Sequence, residues 1–168
     1  MDDEEETEEE KRASEERSRE FNLRMERGIA FGSKMKKMDI NQLKADIPAN
    51  WGVDDTIGWG WDTPFAYCAY LGWEEGMRYL HSIDANVNKT DHDDCTVLMY
   101  PLYPLRIVRL AVELGVNVLY SNCHVDTCLT IREHYPRPVG SDNHAIWVYL
   151  QEVVQEARKK KLVLNKHE

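Results

Sequence analysis

The sequence predicts an all-α fold, a short solenoid of stacked helix-turn-helix units with connecting turn loops, and two observations carry that prediction. The first is a period. Thr63-Pro64-Phe65 is answered 33 residues later by Thr96-Val97-Leu98 and 31 later again by Thr127-Cys128-Leu129, while Ala85-Asn86-Val87-Asn88 is answered at 31 by Val116-Asn117-Val118-Leu119. Self-similarity at this spacing marks a stacked supersecondary unit. The second is that each copy reads as a pair of helices too short to be stable alone, so neighbours must cover their faces.

With 168 residues, 42% of them hydrophobic, the chain can bury one core and has little room for a second domain. The net charge of −9 is concentrated at one end. Residues 1–20 hold eleven acids against Lys11, Arg12, Arg17 and Arg19, a net of −7, which leaves −2 for everything after. No apolar run approaches the roughly 18 residues needed to span a bilayer, and an acidic start is the opposite of a presequence. A cytoplasmic or nuclear protein is therefore expected. Cys68, Cys95, Cys123 and Cys128 are too sparse for a disulfide scaffold and read as reduced thiols.

Residues 1–38 read as an extension, acidic then basic, largely disordered or ordered only on a partner. Its acidic block repels itself and buries nothing. Further on, Arg24, Arg27, Lys34, Lys36 and Lys37 outnumber Glu26, with Phe21, Leu23, Met25, Ile29 and Phe31 interleaved. That is either an arm that orders on a partner or a solubilising tail and linker. Nucleic acid is not expected, because the neighbouring acids compete for the same cations.

Residues 39–162 hold the stack. Residues 39–61 are its N-terminal cap: Asp39 caps a helix from Ile40 to Ile47, Pro48 ends it, and a glycine-rich loop carries Trp51, Trp59 and Trp61. These indoles seal apolar surface that no further repeat covers, with partner contact at Trp59 and Trp61 as the second reading. Residues 62–95 form the best copy. Thr63 caps, Pro64 takes the first helical position at no cost in hydrogen bonds, Phe65, Cys68 and Ala69 share a face, and Gly72 closes the helix. Glu74 and Glu75 open a second helix, with Met77, Leu80 and His81 as its buried spacing.

Residues 96–126 are a shortened copy. Pro101 falls inside the first helix, where it lacks an N–H and clashes with the preceding turn, so that helix should end near Tyr100. Pro104 starts the second, Leu105 to Leu114, with Ile107, Leu110, Ala111 and Leu114 on one face and Gly115 just beyond. Residues 127–162 are the terminal copy. A short helix from Cys128 to about His134 stops at Pro136 and Pro138, and after Ser141 or Asp142 a long helix carries Ile146, Leu150, Val153, Val154 and Ala157. It ends at Arg158-Lys159-Lys160-Lys161, whose charge suits the negative end of the dipole. Residues 163–168 are a tail.

From Thr63 to Leu98 these residues resemble the ankyrin repeat without a gap. The family's T-P-L-H-x-A-A opening is similar to Thr63-Pro64-Phe65-Ala66-Tyr67-Cys68-Ala69, its Gly-His turn to Gly72-Trp73, its G-A-D-V-N to Asp84-Ala85-Asn86-Val87-Asn88, and its turn Asp to Asp91. The resemblance implies an ankyrin-repeat solenoid of about three degenerate repeats. It also implies protein partners held by exposed turn tips and the outer side of the first helices. Carried over position by position, that surface is Tyr70, Leu71, Thr90, His92, Asp93 and Cys95 from one repeat, and Tyr103, Ser121, Cys123, His124 and Asp126 from the next.

The sequence contains no phosphate-cradling glycine motif, nucleophile elbow or His-Glu-x-x-His pattern, so a non-enzyme without a cofactor is expected. One metal-like constellation exists. The repeat register pairs His92 with Cys123 and Asp93 with His124, with Cys95 nearby, a donor set suited to zinc. Its spacing matches no established zinc motif, and no metal is expected. The expected function is a non-catalytic protein-protein interaction module. The alternative is an accessory subunit permanently built into a larger assembly, to which the short stack, the Pro-broken helix and the Trp loop point.

Overall fold

The computed structural model describes residues 7–57, 63–100, 103–135 and 138–164. It is all-α: among the described residues there is no strand, only an isolated antiparallel bridge between Ser121 and Thr127. Helix α1 spans Glu8–Met35. A capping box starts it: Thr7 Oγ1 accepts from Glu10 N–H at 3.3 Å, and the Glu10 carboxylate accepts from Thr7 N–H at 2.8 Å. Glu8, Glu9 and Glu10 face the positive end of the dipole. Met25, Gly28, Phe31, Gly32 and Met35 are buried, at the spacing of one helical face, whereas Glu8 to Arg24 contribute no buried residue. Residues 25–35 meet the core, and Arg24 just before them pairs with Asp55 at 3.5 Å.

Helix α2, Ile40–Asn50, is capped by Asp39, whose carboxylate accepts from Asn41 and Gln42 N–H at 2.9 and 3.2 Å. It runs through Pro48 rather than stopping there, because a proline in the last turn removes only one bond of the ladder. Trp51 follows, 8% exposed, stacked on Phe31 at 5.4 Å between ring centroids. Trp59 and Trp61 lie outside the described residues.

Helices α3, Pro64–Leu71, and α4, Glu74–Ser82, form the tightest pair. Thr63 Oγ1 accepts from Ala66 N–H at 3.3 Å, and Gly72 turns the chain at φ +68°. Gly76, Met77 and Leu80 are the buried residues of α4; His81 is exposed, one position off the buried stripe. In the next copy the first helix shrinks to a 3-10 turn, Val97–Met99, and Tyr100 is extended at ψ 124°, as expected for the residue before Pro101. Helix α5 is Leu105–Glu113, α6 Thr130–Glu133, and α7 Asp142–Leu164.

The contacts run in chain order. Helix α1 packs on α3, α2 on α4, and α5 on α7. Arg78–Glu113 at 2.8 Å and Arg106–Glu74 at 3.3 Å join α4 to α5. A cation lies over a ring at two of these seams: Lys44 over Tyr79 between α2 and α4, and Arg109 over Tyr149 between α5 and α7. One layer therefore holds α2, α4, α5 and α7. The core between the layers is built on Phe65, Met77, Leu80, Leu98, Ile107, Ile146 and Leu150, all nearly or fully sealed from water. Burying each is worth roughly 1.5–3 kcal/mol.

The period reappears in the backbone hydrogen bonds, with one copy more than expected. After each second helix the same turn closes: Trp51 N–H to Asp46 O, Ala85 to Leu80 and Val116 to Ala111, at 3.0–3.1 Å. Four residues on, Asp55 donates to Gly52, Lys89 to Asn86 and Tyr120 to Asn117. Residues 46–55 are thus the first turn of the series, not an irregular loop. The turns are laddered by side chains: Asp54 Oδ1 accepts from Asn86 N–H at 2.9 Å, and Asn88 Oδ1 from Asn117 N–H at 2.6 Å.

Candidate functional site

Two fingers project beyond this ladder, residues 90–95 and 121–126, and the same hydrogen-bond pattern builds both. Asp91 Oδ1 accepts from Asp93 and Cys95 N–H at 2.9 and 2.8 Å; Asn122 Oδ1 accepts from His124 and Asp126 N–H at 3.0 and 2.8 Å. A side-chain oxygen bonding the backbone two residues on is how Asx residues close a turn. The tips, Asp94 and Val125, both have positive φ, +56° and +64°. Asp tolerates that region better than a β-branched residue does, so the second tip carries strain.

Asp94 fastens the fingers together. Its carboxylate accepts from Tyr120 Oη–H and from Cys123 N–H, the latter at 2.8 Å. The Tyr120 hydroxyl first, with the Cys123 amide and Thr90 adding to it, holds its carboxyl below the usual range, while burial opposes them. The same bond pushes the Tyr120 phenol up to about 12. Tyr100 Oη–H is held by the other oxygen of Asp91. The half-buried Cys95 thiol accepts from Asn122 Nδ2 at 3.8 Å; burial first, then Asp91, raises its pKa.

The expected surface residues divide into two groups. His92, Asp93, Ser121, Cys123 and His124 are exposed, Thr90, Cys95 and Asp126 half-buried, all on or beside these fingers. Tyr70 is 60% exposed at the end of α3, its ring stacked on Tyr67 at 5.9 Å, and Leu71 beside it is half-buried. Tyr103 differs: it is 6% exposed, tilted against Tyr100 at 6.0 Å, and belongs to the core. The shortening of the first helix to one 3-10 turn brings it inward. What the repeat register missed was Asp91, Asp94 and Asn122, which hold the fingers in shape, and Val125, 79% exposed at a tip. The signal was available, since Asp94 and Val125 sit at the same offset that relates Asp93 to His124.

A donor cluster exists at a different place from the one expected. Ligand atoms of Asp91, His92 and Asp93 lie within 4.8 Å of one another, with His92 Nε2 at 3.4 Å from Asp93 Oδ2. Both Asp91 oxygens already accept hydrogen bonds, so the cluster is accounted for as turn architecture. Arg132 is also buried, at 2% exposure; burial lowers its pKa, and Nη2 donates to Tyr100 O at 2.9 Å, tying α6 to the preceding copy. A groove of about 190 Å³ between α1 and the first turn is lined by Arg27, Phe31, Lys34, Asp46 and Trp51, with Lys34 paired to Asp46 at 3.2 Å. No described helix is long and apolar enough to cross a membrane.

The fold and surface define a class no narrower than an all-α protein with laddered turns and an exposed finger edge. Neither a protein-family model nor a curated protein matches the chain. A solved structure similar in part is a predatory endopeptidase from Bdellovibrio bacteriovorus in complex with an immunity protein. It has 18% identity and a TM-score of 0.47, and covers 52% of this chain and 47% of that one. The match thus spans about half of each chain, and at that level it carries no argument about fold or activity.

Proposed function

We propose that the chain is a non-catalytic protein-interaction module, an ankyrin-type stack that holds a protein partner along its finger edge and the adjoining end of α3. The observation that carries this reading is the contrast along that edge. The residues that shape the fingers, Asp91, Asp94 and Asn122, spend their polar atoms on backbone and neighbouring side chains, while His92, Asp93, Cys123, His124 and Tyr70 are exposed beside them. A pre-shaped edge loses little entropy when it binds, so its exposed groups can be read as specificity. Tyr70 supplies an aromatic anchor of the kind that dominates interface energy. The ankyrin assignment is supported by the backbone pattern recurring after α2, α4 and α5.

The test is affinity purification of wild type beside Leu71→Glu/His92→Glu, with partners identified by mass spectrometry and each interaction then measured with purified components. Binding should fall by tenfold or more, since hot-spot residues cost about 2 kcal/mol or more each. If every partner binds the variant as well as it binds wild type, the finger edge is the wrong surface.

A further inference from the structure

We propose that Ser14 is a phosphorylation site, read by a serine kinase whose substrate channel is acidic. The sequence singles this residue out. Of all the serines and threonines in the chain, Ser14 alone has two cations among the three residues before it, Lys11 and Arg12, whereas Ser18 has only Arg17 and Thr90 only Lys89. Kinases sort their substrates by charge patterns of this kind, and a cation set into an acidic channel contributes both affinity and register.

The structure leaves that serine open and occupies most of the others. Thr7 and Thr63 cap helices, each accepting from the amide three residues on at 3.3 Å. Ser33 and Ser82 donate to carbonyls of their own helices at 2.9 and 2.6 Å, and Thr96 is 1% exposed. Ser14 is exposed, and so are Lys11 and Arg12. Lys11 reaches Glu8 only at 3.9 Å, with both side chains more than half exposed, a surface pair that is readily broken.

Access to the backbone matters as much as access to the hydroxyl, because a kinase grips the chain around its acceptor in an extended form. Ser14 lies in the part of α1, Glu8 to Arg24, that contributes no buried residue. Opening Lys11 to Ser18 therefore loses local helix hydrogen bonds and the capping box at Thr7, and exposes no buried side chain. Openings of that kind lie at the low end of a protein's range of local stabilities.

In the reaction Ser14 Oγ bonds to the γ-phosphorus of Mg-ATP, the bond from that phosphorus to the bridging oxygen breaks, ADP leaves, and the hydroxyl proton passes to the kinase's catalytic aspartate. When α1 re-forms, the phosphate has cations to meet. Ser14 and Arg17 line one open recess of about 510 Å³ together with Ser18, Phe21 and Asn22. Lys11 lies one turn before Ser14 and Arg17 one turn after, and residues three apart are neighbours on a helix, so each can pair with the dianion. The modified helix keeps its shape and gains negative charge.

The test is phosphorylation of the full-length protein by Mg-ATP and the catalytic subunit of cyclic-AMP-dependent protein kinase, which reads cations before its acceptor, with an acid-directed casein kinase as the contrast. Tandem mass spectrometry of proteolytic fragments places each phosphate. The cation-reading kinase should add a single phosphate, at Ser14, and Ser14→Ala should take none. Arg12→Gln should slow the reaction by about tenfold or more, since it empties one charged contact in the channel, while Ser18→Ala should react at the wild-type rate. Circular dichroism should show no loss of helix on modification. No incorporation, a phosphate on another residue, faster modification of Ser14 by the acid-directed kinase, or an Arg12→Gln rate equal to wild type overturns the proposal. A fall in helix content overturns the pairing with Lys11 and Arg17. Leu71→Glu/His92→Glu keeps Ser14 and its cations and should be modified normally, so the finger edge and this site fail independently.

Discussion

Replacing Gly76 with alanine sets two known effects against each other. In a helix interior alanine is favoured over glycine by about 1 kcal/mol. At this position, however, a Cβ would lie 2.7 Å from Cys68 Sγ and from two ring carbons of Trp73, well inside the roughly 3.5 Å of a comfortable contact. Neither neighbour has space to retreat: Cys68 is wholly buried and Trp73 is 6% exposed. Forcing a methyl into such a seam costs about 1–3 kcal/mol, and three overlaps at once put this site in the upper half of that range. The expected outcome is a net loss of about 1–2 kcal/mol, which lowers Tm by roughly 2–8 °C in a chain of this size. Thermal and urea melts followed by circular dichroism measure it. Cys68→Ala, combined with Gly76→Ala, should cost less than the two separately by more than about 0.5 kcal/mol, because it removes one overlap. A raised Tm for Gly76→Ala would mean that helix propensity wins and that α3 and α4 do not approach this closely.

Asn88→Ala deletes the bond from Asn117 N–H and another from its own Nδ2 to Gly115 O at 3.3 Å. At about 0.5–1.5 kcal/mol per net hydrogen bond, and with water able to reach the site, the cost should be about 1–2 kcal/mol. Exchange of the Asn117 amide should quicken, and unchanged protection there would refute the ladder. The Tyr120–Asp94 bond makes a pH prediction with two signs. Asp94 titrates lower when folded, so its contribution is present above the unfolded carboxylate value near 4 and lost as pH falls through the folded one. Tyr120 titrates higher when folded, so its contribution is present below about 10 and lost as pH rises toward about 12. The Tm difference between wild type and Tyr120→Phe should be flat near neutrality and shrink at both extremes. A constant difference across that range would show that the bond does not couple the fingers.

How much of this could be read from the residues depended on whether the signal lay in side-chain type or in backbone conformation. Thr63-Pro64 and Gly72 bracket α3 because a cap, a fixed φ and a left-handed closure are properties of those residues alone. Pro101 likewise foretold the collapse of one helix to a 3-10 turn. The consequence for Tyr103 was not legible: its side chain reads as a surface anchor on a full-length helix and becomes core only once that helix is lost. The first turn was hidden in the same way. Ala49 to Asp54 reads A-N-W-G-V-D beside I-D-A-N-V-N and L-G-V-N-V-L, and the tryptophan among glycines suggests an irregular loop until the recurring bonds from Trp51 and Asp55 reveal the register. With that register in hand, position 54 holds Asp, position 88 Asn and position 119 Leu. Two acceptors followed by an aliphatic side chain make a ladder with a defined end.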